Sequence, residues 1–279
     1  MKIIDGKKIA NEIKEELKLG IVNNNLHPGL AIVMVGNDPA SEIYVRNKLK
    51  ACDEIGINGS LIKFNESNAE EEIIKKIELL NLDNKIDGII VQCPLPNKFN
   101  EDKILNSVSY TKDVDGFGIN SLGRLISSEP LFLSATPAGI IKMLEHENVD
   151  IEGKNVVIVG RSKIVGKPLA LALLNKNATV TITHSKTKNL NEITSKADIL
   201  VVAIGKDRFI KEDYIKEGAI VIDVGINRID GKLYGDVDFD NIKEKCSYIT
   251  PVPGGVGPMT IAMLLSNVVK SARLKKEKE

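Results

Sequence analysis

Val156-Val157-Ile158-Val159-Gly160-Arg161-Ser162-Lys163-Ile164-Val165-Gly166-Lys167-Pro168 is the stretch that decides the fold. Four consecutive β-branched apolar residues read as a strand buried on both faces. A glycine turn follows, and then helical spacing over Pro168–Leu174. Strand, glycine turn and helix in that order aim backbone N–H groups and the positive end of a helix at a phosphate. The common dinucleotide pattern is G-x-G-x-x-G. Here Ser162 stands at the second glycine and Gly166 comes one residue late, so the bare pattern also suits a turn that only reverses the chain. More strand-like runs follow at Thr179–Thr183, Ile199–Ala203 and Ala219–Val224. In the first half, Leu30–Val35 and Ile86–Val91 read as strands, between helical spacing at Ile9–Leu19, Glu42–Ile55 and Ala69–Leu80. Strands alternating with helices imply an α/β protein with parallel sheets.

Ser127–Thr136 has no period and reads as a domain boundary. Thr136-Pro137 then opens a helix to about Glu147, with Thr136 expected as the N-cap and proline at the first position. A last helix runs from Pro258 to about Arg273, and its apolar stripe of Ile261, Leu264, Leu265 and Val268 suits packing back on the first domain. The tail Lys275–Glu279 reads as a solvated charge run.

Composition narrows the classes. Lys+Arg and Asp+Glu both number 38 in 279 residues, so no net charge favours nucleic acid or an anionic membrane. No apolar run approaches the ~18–20 residues of a membrane span, and Met1–Gly6 lacks the apolar core of a signal peptide. Cys52, Cys93 and Cys246 lie far apart without a CxxC pair, which fits a reducing cytosol and no metal centre. Only six of the 38 basic residues are arginine, so Arg161 in the glycine turn is notable.

An acid usually follows the second strand of an NAD site to hold the ribose hydroxyls. Here that strand ends in His184-Ser185-Lys186-Thr187, with no acid. Ser185 and Arg161 suit a 2′-phosphate instead, which favours NADP. His184 itself reads as an ordinary loop histidine. Ile226, after Asp223-Val224-Gly225, suits packing on a nicotinamide, and equally a core position. Thr250–Pro258, rich in glycine and proline, reads as a rigid loop or a plain hinge.

In the first half, Tyr44 and Lys48 are spaced i, i+4 and share a helix face beside Val45, Leu49 and Cys52. Partial desolvation there favours the neutral amine, which can act as a base. A solvated lysine is the plainer possibility. Gln92 follows the strand Ile86–Val91, where its amide can hydrogen-bond that lysine. Lys112-Asp113-Val114-Asp115-Gly116-Phe117 lacks the pattern of a calcium loop, and Asp115 can bind a ring carrying an N–H beside an amino group.

Taken together these residues resemble one family, the bifunctional methylenetetrahydrofolate dehydrogenase/methenyltetrahydrofolate cyclohydrolases. The likeness rests on Val35–Ser41 with Tyr44 and Lys48, on Val91–Pro96, Lys112–Phe117, Thr136–Gly139, Gly160–Ser162, His184-Ser185, Asp223–Ile226 and Thr250–Thr260, and so spans nearly the whole chain. The resemblance implies two α/β domains around a cleft. One is a folate-binding catalytic domain over 1–133, with the C-terminal helix 259–279 packing back on it. The other is a Rossmann-like NADP-binding domain over 134–258, a parallel sheet with helices on both faces. It also implies Lys48, Tyr44 and Gln92 as catalytic residues, with Asp115 and Tyr44 on the folate and Gly160, Arg161, Ser162, Ser185 and Ile226 on NADP. No metal is implied; a cytoplasmic homodimer in one-carbon metabolism is. Ala135, Cys93 and Gly118 stand where the family often has Cys, Leu and His.

The Tyr44-x-x-x-Lys48 spacing also copies short-chain dehydrogenases, but there the nucleotide turn precedes the motif, whereas Gly160 follows it. The same residues also suit a cyclohydrolase without redox activity or a nucleotide-binding regulatory protein. Lys48, Gln92 and Asp115 together speak against the regulatory protein.

Overall fold

Gly29–Val35 carries no polar side chain, and all seven of its residues are buried. In the computed structural model, which describes residues 1–278, it is the central strand of a three-stranded parallel sheet. The strands in chain order are β1 (Lys2–Ile3), β2 (Gly29–Val35), β3 (Asn58–Phe64), β4 (Gly88–Val91), β5 (Asn155–Val159), β6 (Thr179–Thr183), β7 (Ile199–Val202), β8 (Ile220–Asp223), β9 (Asn227–Ile229), β10 (Lys232–Tyr234) and β11 (Tyr248–Ile249). The chain divides into two compact units. One is Glu12–Ala135 with the chain from Ile261 onward, and the other is Met1–Asn11 with Thr136–Thr260.

The first unit holds the sheet β3-β2-β4. Alternate residues of β2 enter two separate cores, as the strand period of two requires. Leu30, Ile32 and Met34 pack with Cys52, Leu264, Leu265 and Val268, while Ala31, Val33 and Val35 pack with Ile73, Ile77 and Ile104. The sheet is thus covered on one face by helices Pro39–Ile55 and Val256–Lys276, and on the other by Glu70–Leu82 and Glu101–Leu105. Lys112–Val114 runs beside β4 as an isolated parallel bridge, Ile89 to Asp113. The sequence reading starts β4 at Ile86. The strand begins at Gly88, because Ile86 closes a turn onto Asp83 and the Asp87 carboxylate accepts the Gly29 N–H at 2.9 Å.

The second unit holds a six-stranded sheet, β1-β11-β8-β7-β5-β6, parallel throughout. Chain order reverses between β5 and β7, and in open α/β sheets ligands bind outside the carboxyl ends at such a point. Val157, Val159, Leu200, Val202 and Val221 pack on one face with Ile210 and Ile242. The intervening Val156, Ile158, Val201 and Ile222 are fully buried as well. The sequence boundary assigns Met1–Asn11 to the first domain, but β1 pairs with β11 in this sheet, and two residues are too few to carry a strand period. Helix Ala135–His146 opens two residues earlier than expected. Thr136 is therefore inside the first turn rather than at the cap, and its hydroxyl pairs with that of Thr260 at 3.0 Å.

The helix Val256–Lys276 is longer than the expected Pro258–Arg273; of the tail, residues 276–278 are exposed as expected, whereas Lys275 pairs with the buried Asp87. Glu279 of that tail lies outside the described residues. Leu265 is fully buried in the core under β2. Leu265→Ala should lower unfolding stability by about 2–5 kcal/mol, as buried leucine truncations do. An unchanged urea midpoint would mean that the helix is peripheral to that core.

Candidate functional site

Polar side chains meet at the carboxyl edge of the three-stranded sheet. Helix Pro39–Ile55 starts there because the Asp38 carboxylate accepts the Ser41 N–H at 2.8 Å, with Pro39 at the first helical position. Val45 and Cys52 point into the core, and Lys48, between them in sequence, is half-buried. Its Nζ donates to Gln92 Oε1 at 3.1 Å. Gln92 continues β4, its N–H donating to the Val33 carbonyl, and its own Nε2 donates to the Cys93 carbonyl at 3.0 Å. The amide is therefore held at both ends, with its oxygen turned to the lysine. Tyr44, one helical turn before Lys48, is exposed.

Asp115 stands beside β4 at the end of the Lys112–Val114 bridge. It is 9 % exposed, and no hydrogen bond to its carboxylate occurs among the described residues. Burial pushes its carboxyl up to about 6; the nearby Lys48 charge opposes this and Asp113 adds to it. A largely buried carboxylate whose oxygens still reach the surface and meet no protein donor is an opening for a ligand that brings its own. Asp113 has the opposite fate. Its carboxylate accepts the N–H groups of Gly116, Phe117 and Gly118 and the hydroxyl of Ser121, so it shapes the loop that carries Asp115.

Sequence reasoning missed the support from the last helix. Asn267, 7 % exposed, donates its two Nδ2 hydrogens to the Val114 and Leu133 carbonyls at 2.8 and 2.9 Å. Both partners are more than a hundred positions away, so no local pattern announces them. Of the unusual positions, Ala135 is buried in the core and the half-buried Cys93 directs its thiol at the Val91 carbonyl at 3.5 Å. A side chain at Gly118 would start 3.0 Å from the Asp113 carboxylate. A groove of about 470 Å³ beside Arg46, Leu49 and Leu61 contains none of Lys48, Gln92 or Asp115.

In the other unit the glycine turn lies at the point where chain order reverses. Gly160 has φ +129°, and a Cβ there would overlap the Ala203 carbonyl of the loop after β7. A Cβ on Gly166 would overlap the carbonyl of Gly160. Only bare backbone fits, so the turn packs directly against the loop after β7 at the start of helix Gly166–Leu174. Ser162 Oγ accepts the Val165 and Gly166 N–H groups at 3.1 and 3.4 Å and so caps that helix. Arg161 and Ser162 in this turn, and Ser185 after β6, are exposed. The His184 N–H binds Thr187 and its Nδ1 accepts from Lys186, which keeps this histidine within its own turn. Ile226, 45 % exposed, is an apolar side chain facing outward after β8. Among the described residues no cluster of His, Cys, Asp and Glu could hold a metal ion, and no helix is long and apolar enough to cross a membrane.

Family comparison agrees with both halves. Residues 4–115 match the tetrahydrofolate dehydrogenase/cyclohydrolase catalytic domain, and residues 134–276 match the NAD(P)-binding domain of the same family. The chain belongs to the tetrahydrofolate dehydrogenase/cyclohydrolase family. It is 53 % identical over 274 residues to the bifunctional protein FolD of Halalkalibacterium halodurans, covering 97 % of this chain and 98 % of that one. The crystal structure of the bifunctional FolD enzyme from Campylobacter jejuni superposes with a TM-score of 0.96 at 48 % identity, over 99 % of both chains. The Trypanosoma brucei methylenetetrahydrofolate dehydrogenase-cyclohydrolase, crystallised with NADP and an inhibitor, gives 0.94 at 33 % identity, over 98 % of both chains. A side-chain-free glycine turn that opens a helix suits the phosphates of the NAD(P) that the family domain binds.

Removing the side-chain amide of Asn267 tests the unforeseen support. Asn267→Leu keeps the bulk and strands two carbonyls, each worth about 1–3 kcal/mol if left buried without a donor. The urea midpoint should fall accordingly. A midpoint equal to wild type would show that the Asp115 segment stands without the last helix.

Proposed function

We infer that this chain oxidises methylenetetrahydrofolate to methenyltetrahydrofolate with NADP, and then hydrolyses the methenyl group to formyltetrahydrofolate. The observation that carries the reading is the Lys48–Gln92 hydrogen bond beside a buried, unpaired Asp115. NADP, when bound, takes up the hydride that leaves the one-carbon bridge of the folate. The remaining work belongs to this chain's residues. Asp115 accepts the adjacent N–H and amino group of the pterin ring and fixes its orientation. Tyr44 offers a ring face to the flat substrate from the same side of the helix as Lys48. Arg161 and Ser185 hold the 2′-phosphate, Gly160 and Ser162 give the turn its shape, and Ile226 packs on the nicotinamide end.

Hydrolysis makes a different demand. Water adds to the cationic methenyl carbon and gives up a proton. The C–N bond then breaks, and the departing ring nitrogen receives one. Lys48 Nζ is the group placed to take and return that proton. Gln92 Oε1 holds one of its N–H bonds, so the remaining valences of the amine keep a fixed direction toward the substrate. A homodimer in the cytoplasm completes the reading, on the resemblance alone.

Two experiments test these assignments. Lys48→Met preserves the stem and removes the amine. Cyclohydrolase turnover should fall by roughly 10²–10⁴-fold, the usual contribution of a general acid–base. Dehydrogenase turnover should survive far better, because hydride transfer depends mainly on placement. Cyclohydrolase turnover near wild type would return Lys48 to an ordinary solvated lysine.

The second follows from the raised carboxyl. With Asp115 titrating near 6, its carboxylate is present above that pH and is progressively protonated below it. Protonation replaces an acceptor with a donor. Affinity for a folate analogue should therefore be flat above about pH 7 and drop roughly tenfold per unit well below the pKa. Asp115→Asn should bind weakly, without that pH dependence. Equal affinity and equal pH profile for wild type and Asp115→Asn would remove Asp115 from the site.

A further inference from the structure

Asp223 and Asp236 are 2 % and 0 % exposed, and neither has a part in the chemistry described above. Buried carboxylates persist only where donors replace water. Here seven donors do so, in a crossed arrangement. Asp223, at the end of β8, accepts the N–H groups of Gly225, Asp236 and Val237, each at 2.9 Å. Asp236, just after the hairpin β9–β10, accepts the consecutive N–H groups of Ile204, Gly205 and Lys206 at 2.7, 2.9 and 2.7 Å. It also accepts Asn227 Nδ2 at 2.9 Å. Each carboxylate occupies space that a glycine near the other leaves open. A Cβ on Gly225 would overlap the Asp236 carboxylate, and a Cβ on Gly235 would overlap that of Asp223.

One of the segments so held packs against the glycine turn, and the other carries Ile226. Ile204–Lys206 follows β7, directly after Ala203, whose carbonyl faces Gly160. Three consecutive N–H groups converging on one anion fold this loop inward, as backbone nests do. Ile226 lies between Gly225, tied to Asp223, and Asn227, tied to Asp236. An exposed apolar side chain is thereby pinned on both sides by buried polar anchors. Exposure of Ile226 gains nothing for folding, whereas a fixed apolar surface at this edge suits a flat ligand ring.

We propose that Asp236, together with Asp223, is a positioning residue for the bound cofactor, holding the loop after β7 and the Ile226 turn in the shape that the nicotinamide half of NADP requires. The hairpin β9–β10 is then the excursion that returns the chain so that Asp236 can reach both segments. This proposal rests on the reading of the chain as an NADP enzyme.

Asp236→Asn and Asn227→Ala, each in the full-length protein, separate a positioning role from plain stability. The first turns an amide group toward backbone N–H donors. The second removes one donor and leaves the three backbone contacts. For both variants and wild type, the NADP dissociation constant is measured by titration calorimetry, the folding midpoint by circular dichroism, and cyclohydrolase turnover on the same preparation. Asp236→Asn should weaken NADP by roughly tenfold to a hundredfold, the scale of a small misplacement. Asn227→Ala should shift it less, in the same direction. Cyclohydrolase turnover per folded molecule should stay near wild type in both. Unchanged NADP affinity in both variants overturns the proposal, as does an equal loss of NADP binding and cyclohydrolase turnover. If Asp236→Asn does not fold, Asn227→Ala decides by the same criteria. A wild-type protein that binds no NADP overturns the cofactor reading itself, a result distinct from variants that bind as wild type does.

Discussion

A parallel sheet buried on both faces leaves its edges as the place to present polar side chains, and this constraint orders both units. β2, β4 and β7 are buried along their whole length, so no polar group can stand along them without a partner. Strand direction then gathers the chain's chemistry at the carboxyl ends. Gln92 follows β4, Asp115 follows the short bridge beside it, Gly160 follows β5, Ser185 comes shortly after β6 and Ile226 shortly after β8. Lys48 reaches its edge from a helix that starts at the Asp38 cap and is turned by its buried Val45, Cys52 and Ile55.

At these edges a carboxylate serves one of two ends, and its donors decide which. Asp113, Asp223 and Asp236 are saturated by backbone and side-chain donors and act as fasteners of loops. Asp115 differs by two residues from Asp113 in sequence and has no such donors. Burial raises its carboxyl to about 6 against the neighbouring Lys48 charge, and burial also raises Asp223 to about 7 against its three backbone donors, so the missing donors and not the shift set Asp115 apart. The contrast gives a physical reason to assign ligand contact to Asp115 and architecture to its neighbour.

The central strands and the helix of Tyr44 and Lys48 were legible in the sequence because their periods are local. Val156–Val159 and Thr179–Thr183 stand within a residue of the strands observed. β3 was not legible. Its polar, partly exposed sequence Asn58–Phe64 belongs to an edge strand, whose outer side need not be apolar. The two-residue strands β1 and β11 carry no period at all. Asn267 and the Asp223–Asp236 crossing were hidden for another reason. Their partners are remote in sequence, and their worth lies in satisfying buried backbone groups, which no residue pattern encodes. The meeting of Lys48 with Gln92 was suggested by their residue types, but a contact across 44 positions needs the parallel register of β2 and β4 to be seen.

The most direct test of the account follows both reactions on one preparation of the wild-type protein, supplied with methylenetetrahydrofolate and NADP, and then with NAD in its place. The account predicts growth of the NADPH absorbance band, conversion of the methenyl product to formyltetrahydrofolate, and a much smaller dehydrogenase rate with NAD. Hydrolysis of methenyltetrahydrofolate without any reduction of either nucleotide would contradict it, and would leave a cyclohydrolase on a two-unit α/β frame.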